Sequence, residues 1–269
     1  MMTPALAKWH KYRAVGIITV KQQLHYRVDF IVRALFLLLI LFIFIHLWRA
    51  AYTSSGSETI EGFALNQIIW YLVFAEAVTM ACPQLCVRIE EEVKQGEVAV
   101  RLIRPIAYNG FHYMTYLAEA GLRFIVQLAA GSAIAWAYMG SPLFGWGWAG
   151  LAALLPGAFT VAFLLNLAVA LLAFWVEETR GMEFVLQKLN FTVGGMLLPL
   201  ELMPDWLERV CGWLPFQAVL YFPARMGVAF DGGRLAAFLL TQWGWAAALA
   251  VLCAFIYRRG VRKLNVNGG

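Results

Sequence analysis

The densest run of charged side chains lies between Val87 and Pro105, in the one long polar interruption of an apolar first half. Three consecutive acids open the run, and Gly96-Glu97 and a compact amphipathic turn follow before Arg104-Pro105. The turn contains the apolar residues Val98, Val100, Leu102 and Ile103. Charges beside membrane segments are tolerated where water or a soluble partner reaches them. The pattern predicts a short cytoplasmic helix, with exposed acids and arginines around an apolar face, that docks on another protein.

A second set of charges falls inside segments that are otherwise apolar, namely Glu76, Glu119 and Arg123. Ionisable residues within a membrane are functional candidates by default. Glu119 and Arg123 form an i,i+4 pair in the favourable order, and Glu76 is expected at a comparable depth on the preceding helix. We expect a Glu76–Arg123 salt bridge, an intramembrane lock that makes the two helices one rigid unit. Direct contact of these charges with a substrate is the alternative.

Residues suited to catalysis or metal binding are dispersed. The four histidines stand at positions 10, 25, 46 and 112, and no group of Asp, His and Ser converges on one membrane face. Cys82 and Cys86 share a helix face, but a metal site needs a second Cys pair or histidines near them. We therefore predict no catalytic residue and no metal site. The four cysteines are predicted to be buried structural thiols: Cys82, Cys86, Cys211 and Cys253.

The composition places these charges in a membrane protein. Of the 269 residues, 62% are hydrophobic and 14% are charged, whereas soluble domains are about 45–50% apolar and about 25% charged. The formal net charge of +5 does not indicate nucleic-acid binding, because the basic residues lie at the ends of apolar segments, where membrane topology requires them.

The predicted fold class is an all-α integral membrane protein in which residues 1–269 form a single transmembrane domain. Residues 5–29 are basic and amphipathic and predict a helix in the cytoplasmic headgroup layer; an ordinary juxtamembrane tail is the alternative. Apolar runs of spanning length predict six transmembrane helices. They cover about 30–48, 63–85, 113–138, 148–175, 182–200 and 235–257. A polar turn before span 5 contains Glu177, Glu178, Arg180 and Glu183.

The segment 201–230 is apolar enough for membrane depth, but prolines divide it into pieces that are too short to span. We predict a re-entrant hairpin of two short helices in the outer leaflet, with its backbone buried by protein. Sixteen of the 21 Lys and Arg fall on segments assigned to the cytoplasm, and four fall on external ones. This positive-inside bias predicts both termini in the cytoplasm.

Two stretches carry a resemblance to a known family. Residues 96–105, GEVAVRLIRP, resemble the G-E-L-x-x-x-L-L-R-P motif of a bacterial subfamily of ABC-2 type permeases. Residues 194–207, GGMLLPLELMPDWL, with Leu214-Pro215 after them, resemble the family signature G-x-x-x-P-L-x-x-M-P-x-W-L…L-P. The chain as a whole resembles the membrane subunit of ABC exporters, whose fold is shared by the sterol and lipid exporters of the G class.

The resemblance implies that residues 87–105 contain a coupling helix held in a groove of a cytoplasmic ATPase. The implied coupling residues are Arg88, Glu90, Glu91, Glu92, Gly96, Glu97, Arg101, Leu102, Arg104 and Pro105. No G-x-x-x-x-G-K-[ST] phosphate loop is present, so no cofactor is expected on this chain, and ATP and Mg²⁺ are expected on a separate ATPase subunit. A second permease subunit, identical or related, is also implied, in a bacterial inner membrane.

By the same resemblance, spans 2 and 5 line an alternating-access pathway for an amphipathic, xenobiotic or lipid-like substrate. The implied lining residues are Asn66, Gln67, Asn190, Phe191 and Thr192. The hairpin would form an outer gate that includes Pro199, Pro204, Trp206 and Pro215. Two other function classes remain as alternatives. A secondary transporter usually shows broken helices in matching repeats, and a membrane enzyme acting on lipids needs a polar cluster on one membrane face.

Overall fold

The computed structural model describes residues 4–140, 145–176 and 178–267, and this part of the chain is almost wholly helical. Glu177 of the predicted polar turn lies outside it. The α-helices in chain order are α1 (Pro4–Gln23), α2 (Arg27–Ser55), α3 (Leu65–Ala81), α4 (Leu85–Lys94), α5 (Glu97–Leu102), α6 (Tyr108–Met139), α7 (Gly147–Ala170), α8 (Arg180–Val193), α9 (Asp205–Gly212), α10 (Tyr221–Val228) and α11 (Gly232–Asn267). Short 3-10 turns cover Leu171–Phe174, Leu200–Leu202 and Pro215–Ala218, and a two-residue hairpin pairs β1 (Thr59–Ile60) with β2 (Phe63–Ala64).

Five helical segments of the described chain are long and apolar enough to cross a membrane. They are Val28–Ser55, Leu65–Lys94, Tyr108–Met139, Gly147–Phe174 and Gly232–Arg262, which overlap predicted spans 1, 2, 3, 4 and 6. The second segment is interrupted at Cys82–Gln84, where Pro83 separates α3 from α4. Proline lacks the backbone N–H that a continuous helix needs at that position. An all-α membrane protein is therefore confirmed.

Span 5 was predicted as a single helix over about 182–200, and the structure differs from this prediction. Helix α8 has 14 residues and ends at Val193, so its length is about 21 Å, short of the roughly 30 Å hydrocarbon core. Residues 194–199 form an irregular turn that begins with two glycines, and the 3-10 turn Leu200–Leu202 follows. The predicted hairpin region contains α9 and α10, each of eight residues.

The protein core is built around α3 and α7. Helix α3 is buried at every position from Ile68 to Val78, and it packs against α2, α6 and α10. Helix α7 packs against α10 and α11. Helix α1 lies along α6, where Tyr12 contacts Gly110 and Gly16 faces Ala118. It ends at Gln23, six residues earlier than the predicted interfacial helix.

Contacts between distant residues define two ends of the bundle. At one end, the rings of Tyr108 and Tyr257 stack at 5.8 Å, and α4 contacts the start of α8. At the opposite end, Arg49 donates to the carbonyl of Tyr138 at 2.9 Å, and Tyr52 donates to that of Phe63 at 2.7 Å. Helix α1 and the last turns of α11 therefore lie at the same end of the bundle as α4 and α5.

Candidate functional site

The three consecutive acids of α4 have different environments. Glu90 is buried, and its carboxylate accepts from Lys94 Nζ at 2.7 Å and from the backbone N–H and hydroxyl of Thr179, both at 2.8 Å. Glu92 is also buried, whereas Glu91 points to solvent. The prediction that these acids form an exposed docking face is wrong for Glu90 and Glu92. Successive residues of a helix turn by about 100°, so three neighbouring acids cannot share one face.

Glu92 is the centre of a buried polar cluster that joins α4, α5 and α6. Its carboxylate pairs with Arg101 at 3.0 Å, accepts from the hydroxyl of Tyr108 at 2.9 Å, and lies 3.2 Å from His112 Nε2. Arg101 also lies 3.6 Å from Glu97 and stacks 5.0 Å over the ring of Phe111. A buried carboxylate with several donors is stabilised in its charged form. This cluster fixes α5 against the first turn of α6.

Helix α5 projects from this cluster with an apolar tip. Gly96, in the left-handed region at φ 72°, makes the turn from α4 that a side chain would strain. Val98 is 1% exposed and packs inward, whereas Ile103 is 83% and Val100 54% exposed. Leu102 is also exposed, and so are Glu97, Arg104 and Pro105 around it. Exposed apolar groups among charges are typical of a protein-binding surface.

A second ionic cluster connects α4 to α2 and α6. Arg88 donates to Glu119 at 2.9 Å, and Arg123 pairs with the same carboxylate at 2.6 Å. Arg123 also lies 3.6 Å from Asp29, and the Nε of Arg33 donates to both Asp29 oxygens at 3.0 and 2.9 Å. The segment from α4 to α5 is thus attached through ion pairs to α2 and α6, two helices of membrane-crossing length.

The predicted Glu76–Arg123 salt bridge is absent from the described ion pairs. Arg123 pairs instead with Glu119, one turn away on its own helix, and with Asp29 of α2. Glu76 is 1% exposed within α3, and its Oε2 atom has no hydrogen-bond partner. The ion pairs of this cluster therefore join α2, α4 and α6, and Glu76 of α3 takes no part in them.

A cavity of about 300 Å³ lies between the C-terminal part of α3, α7, α8 and the residues just before α10. It contains two of the five predicted pathway residues, Asn190 and Phe191. Two neighbouring cavities, of about 240 and 420 Å³, border α4. All three cavities are lined by Gln84, at the break between α3 and α4. A displacement of α4 at this break would change the shape of all three.

The other predicted pathway residues lie elsewhere. Asn66 and Gln67 are in the first turn of α3, at the opposite end, where Gln67 accepts from the N–H of Ala64 at 3.0 Å. Gln67 also donates to the carbonyl of Val228 at 3.4 Å. The hydroxyl of Thr192 bonds to the carbonyl of Lys188 on its own helix. The contact of Thr192 is within its own helix and those of Gln67 join α3 to β2 and α10, so the structure does not bring these three residues to the cavity.

The predicted outer-gate residues differ in their exposure. Pro199 and Pro215 are buried, whereas Pro204 is exposed and Trp206 is 63% exposed. Beside them, Glu201 accepts from Tyr221 and from Arg225, both at 2.7 Å. Burial raises the pKa of Tyr221, and the neighbouring Glu201 carboxylate raises it further, so this hydroxyl stays a donor. The hydroxyl of Tyr71 in α3 donates to the carbonyl of Gly195 and ties the same region to the core.

Several residues of these clusters were not identified from the sequence as site residues. Asp29 and Arg33 form an i,i+4 pair at the start of α2, which is a readable signal. Thr179 and His112 carry no such signal, because their partners are 89 and 20 residues away. Cys86, Cys211 and Cys253 are buried and Cys82 half-buried, all as free thiols. The described residues contain no group of three or more His, Cys, Asp or Glu that could hold a metal ion.

Five helical segments of membrane-crossing length in the described chain define a multi-pass membrane protein. The family model described as ABC-2 family transporter protein matches residues 33–268. The chain belongs to this family and is an ABC-2 type permease. No protein of curated function matches it.

Proposed function

We propose that this chain is the permease subunit of an ATP-binding cassette exporter and works with a second permease, identical or related, and two separate ATPase subunits. The observation that carries the proposal is the apolar tip of α5. It is exposed among charges, and the buried cluster around Glu92 fixes the helix to α4 and α6. In ABC transporters the ATP-driven step occurs on the ATPase, and ATP and Mg²⁺ belong there. The permease subunit then needs a rigid docking element and a pathway that this element can reshape.

The coupling contact is proposed at Val100, Leu102 and Ile103, with Glu91, Glu97, Arg104 and Pro105 around them. Of the remaining predicted coupling residues, Gly96 makes the turn before α5 and the four charged ones have internal partners. Arg88, Glu90, Glu92 and Arg101 fasten the docking element to α6, to Thr179 and, through Glu119 and Arg123, to α2. Their proposed role is to couple movements of helices. A displacement of α5 by the ATPase would move α6 and α2 with it, because short ion pairs connect these helices.

Six crossings with both termini in the cytoplasm are supported by which helix ends lie together at each end of the bundle. Helix α7 ends near α4, where α8 begins, and α11 later returns to the same end. The chain between them must therefore rise through the bundle once. We assign this sixth crossing to α8 together with the irregular segment 194–203. Its outer end would form, with α9 and α10, the external gate held by the Glu201–Arg225 ion pair.

Alternating access is proposed between the cavity at Asn190 and the outer gate. Movement of α4 about Pro83 would open or narrow the inner cavity, and release of the Glu201 contacts would open the outer side. The cavity wall combines Met80, Phe191, Met196 and Leu220 with polar side chains, which suits an amphipathic molecule. A bacterial inner membrane is the location that the resemblance supports.

Association with the ATPase is the direct test. Tagged chain purified from its native membranes is expected to carry an ABC ATPase that mass spectrometry identifies by its phosphate-loop peptides. Ile103→Asp puts a charge in the middle of the docking contact and is expected to reduce the ATPase recovered at least tenfold, which corresponds to about 1.4 kcal/mol.

The matched control is Trp213→Asp, because Trp213 is also 83% exposed but lies at the opposite end. This variant is expected to recover the ATPase as the wild type does. If wild-type chain carries no ATPase, or if Ile103→Asp retains it in full, the coupling assignment is wrong.

A further inference from the structure

The inner cavity has a buried acid on its wall. Glu183, in the first turn of α8, is 7% exposed and forms no ion pair with any cation of the described chain. It lines both the 300 Å³ cavity and the neighbouring 420 Å³ cavity, so it stands where the two meet. A buried carboxylate without a cationic partner is costly. A ligand that supplies a positive charge would remove that cost.

Gln187 gives Glu183 one side-chain hydrogen bond, and two asparagines of the same cavity present acceptors. Asn190 lines the same cavity, and its Oδ1 atom is buried without a hydrogen-bond partner. Asn166 uses its amide N–H on the carbonyl of Ala162 at 2.8 Å, which leaves its own carbonyl oxygen available. The buried carboxylate of Glu90 stands close enough to Glu183 to interact with it electrostatically. The interior of the cavity thus offers negative charge and acceptors to a ligand that donates hydrogen bonds.

The cations of the same cavity are already engaged or exposed. Arg33 gives its Nε–H to both oxygens of Asp29. Lys188 is exposed, and its ammonium lies over the rings of Phe184 and Phe191, at 5.1 and 5.7 Å from the centroids. Aromatic faces attract cations, so the wall that includes Phe191 already favours positive charge. Arg180, which lines the neighbouring 420 Å³ cavity, is also exposed; its charge acts on Glu183, but the two form no ion pair in the described structure.

We propose that this cavity binds a positively charged amphiphile, with its protonated amine on Glu183 and Asn190 and its apolar body against Met80, Met196 and Leu220. The proposal rests on the proposed function, since it names the substrate class of that pathway. An ammonium group donates to the two acceptors, and its charge compensates the buried carboxylate. An anionic headgroup would meet Glu183 and Glu90 with the wrong sign.

The test is binding to the purified full-length chain in detergent, without any ATPase. The probe is rhodamine 6G, an amphipathic cation with N–H donors, followed by fluorescence anisotropy. Glu183→Gln keeps the shape and removes the charge, and it is expected to weaken binding at least tenfold. Dodecylamine is expected to displace the probe, and dodecyl sulfate at the same submicellar concentration is not. Gln187→Lys, at an exposed position of both cavities, puts a cation beside Glu183 and is expected to weaken binding similarly.

The matched control is Glu178→Gln, since Glu178 is exposed and lines neither cavity. It is expected to bind the probe as the wild type does. Absence of probe binding to the wild type, unchanged binding by both Gln187→Lys and a folded Glu183→Gln, or preferential displacement by dodecyl sulfate would each overturn the proposal. Because no ATPase is present, these results are independent of the Ile103→Asp experiment, and either proposal can fail while the other holds.

Discussion

At the scale of single residues, three neighbouring glutamates of one short helix have different roles. Glu90 and Glu92 are buried with partners from α6 and from the segment before α8, whereas Glu91 is exposed. The environment of each carboxylate follows from its direction around the helix and from what packs there. A charged stretch in a membrane protein can therefore contain both buried, paired charges that connect helices and exposed charges within a few residues.

Alanine substitution of these acids distinguishes them. Glu92→Ala leaves Arg101 and His112 in place without their carboxylate, so we expect the free energy of unfolding to fall by about 3 kcal/mol. Glu91→Ala removes an exposed side chain and is expected to change it by less than about 0.5 kcal/mol. A thiol-reactive dye can follow unfolding in detergent, because Cys86, Cys211 and Cys253 are buried in the folded chain. Equal stability of the two variants would contradict the assigned environments.

At the scale of elements, the contact of α7 with α11 depends on a position without a side chain. A Cβ atom on Gly157 would stand 2.0 Å from Oε1 of Gln242, whose amide donates to the carbonyl of Ala218 at 2.8 Å. Small residues allow membrane helices to approach closely and to exchange polar contacts. The side chain of Gln242 fills the space beside Gly157 and bonds to the 3-10 turn before α10.

Gly157→Ala is expected to destabilise the fold by about 1–3 kcal/mol, since the added methyl overpacks the contact and displaces Gln242. Gly244→Ala in α11 is the matched control, because nothing lies within 4 Å of the added Cβ. That substitution is expected to be neutral or to stabilise by up to about 1 kcal/mol through helix propensity. Thermal unfolding of both variants in detergent measures the difference, and a Gly157→Ala protein as stable as the wild type would refute the packing argument.

At the scale of the whole molecule, the positions of the two ends make a topology test possible. Single cysteines at Ile103 and Glu58 are expected to react with a membrane-impermeant maleimide from opposite sides in intact cells. Glu58 is exposed in the loop before β1, and Ile103→Cys is expected to be labelled only after the membrane is permeabilised. Trp206→Cys should behave like Glu58→Cys. Labelling of positions 58 and 103 from the same side would exclude the proposed six crossings.

The fold class could be predicted from the sequence, and five of the six predicted spans overlap helical segments long and apolar enough to cross a membrane. Long apolar runs with basic flanks are local signals. They predict membrane helices independently of the tertiary contacts that the rest of the chain makes. The end of α8 at Val193 was predicted less well, because an apolar run that continues to Leu200 does not reveal where the backbone leaves the helix. The signature residues 194–207 identified the family, but their irregular backbone and its contact with Tyr71 depend on tertiary packing.

The amino-acid sequence by itself determined that this chain crosses a membrane, belongs to the ABC-2 permeases and carries a charged helical projection after its second crossing. Only the tertiary structure decided which charges of that projection are internal, that Arg123 pairs with Glu119 and Asp29 instead of Glu76, and that Glu183 stands on a cavity wall without an ion pair. The physical reason is that apolar length and local motifs act along the chain. The partner of a buried charge, in contrast, is set by which helices pack together and by the direction in which each side chain leaves its helix.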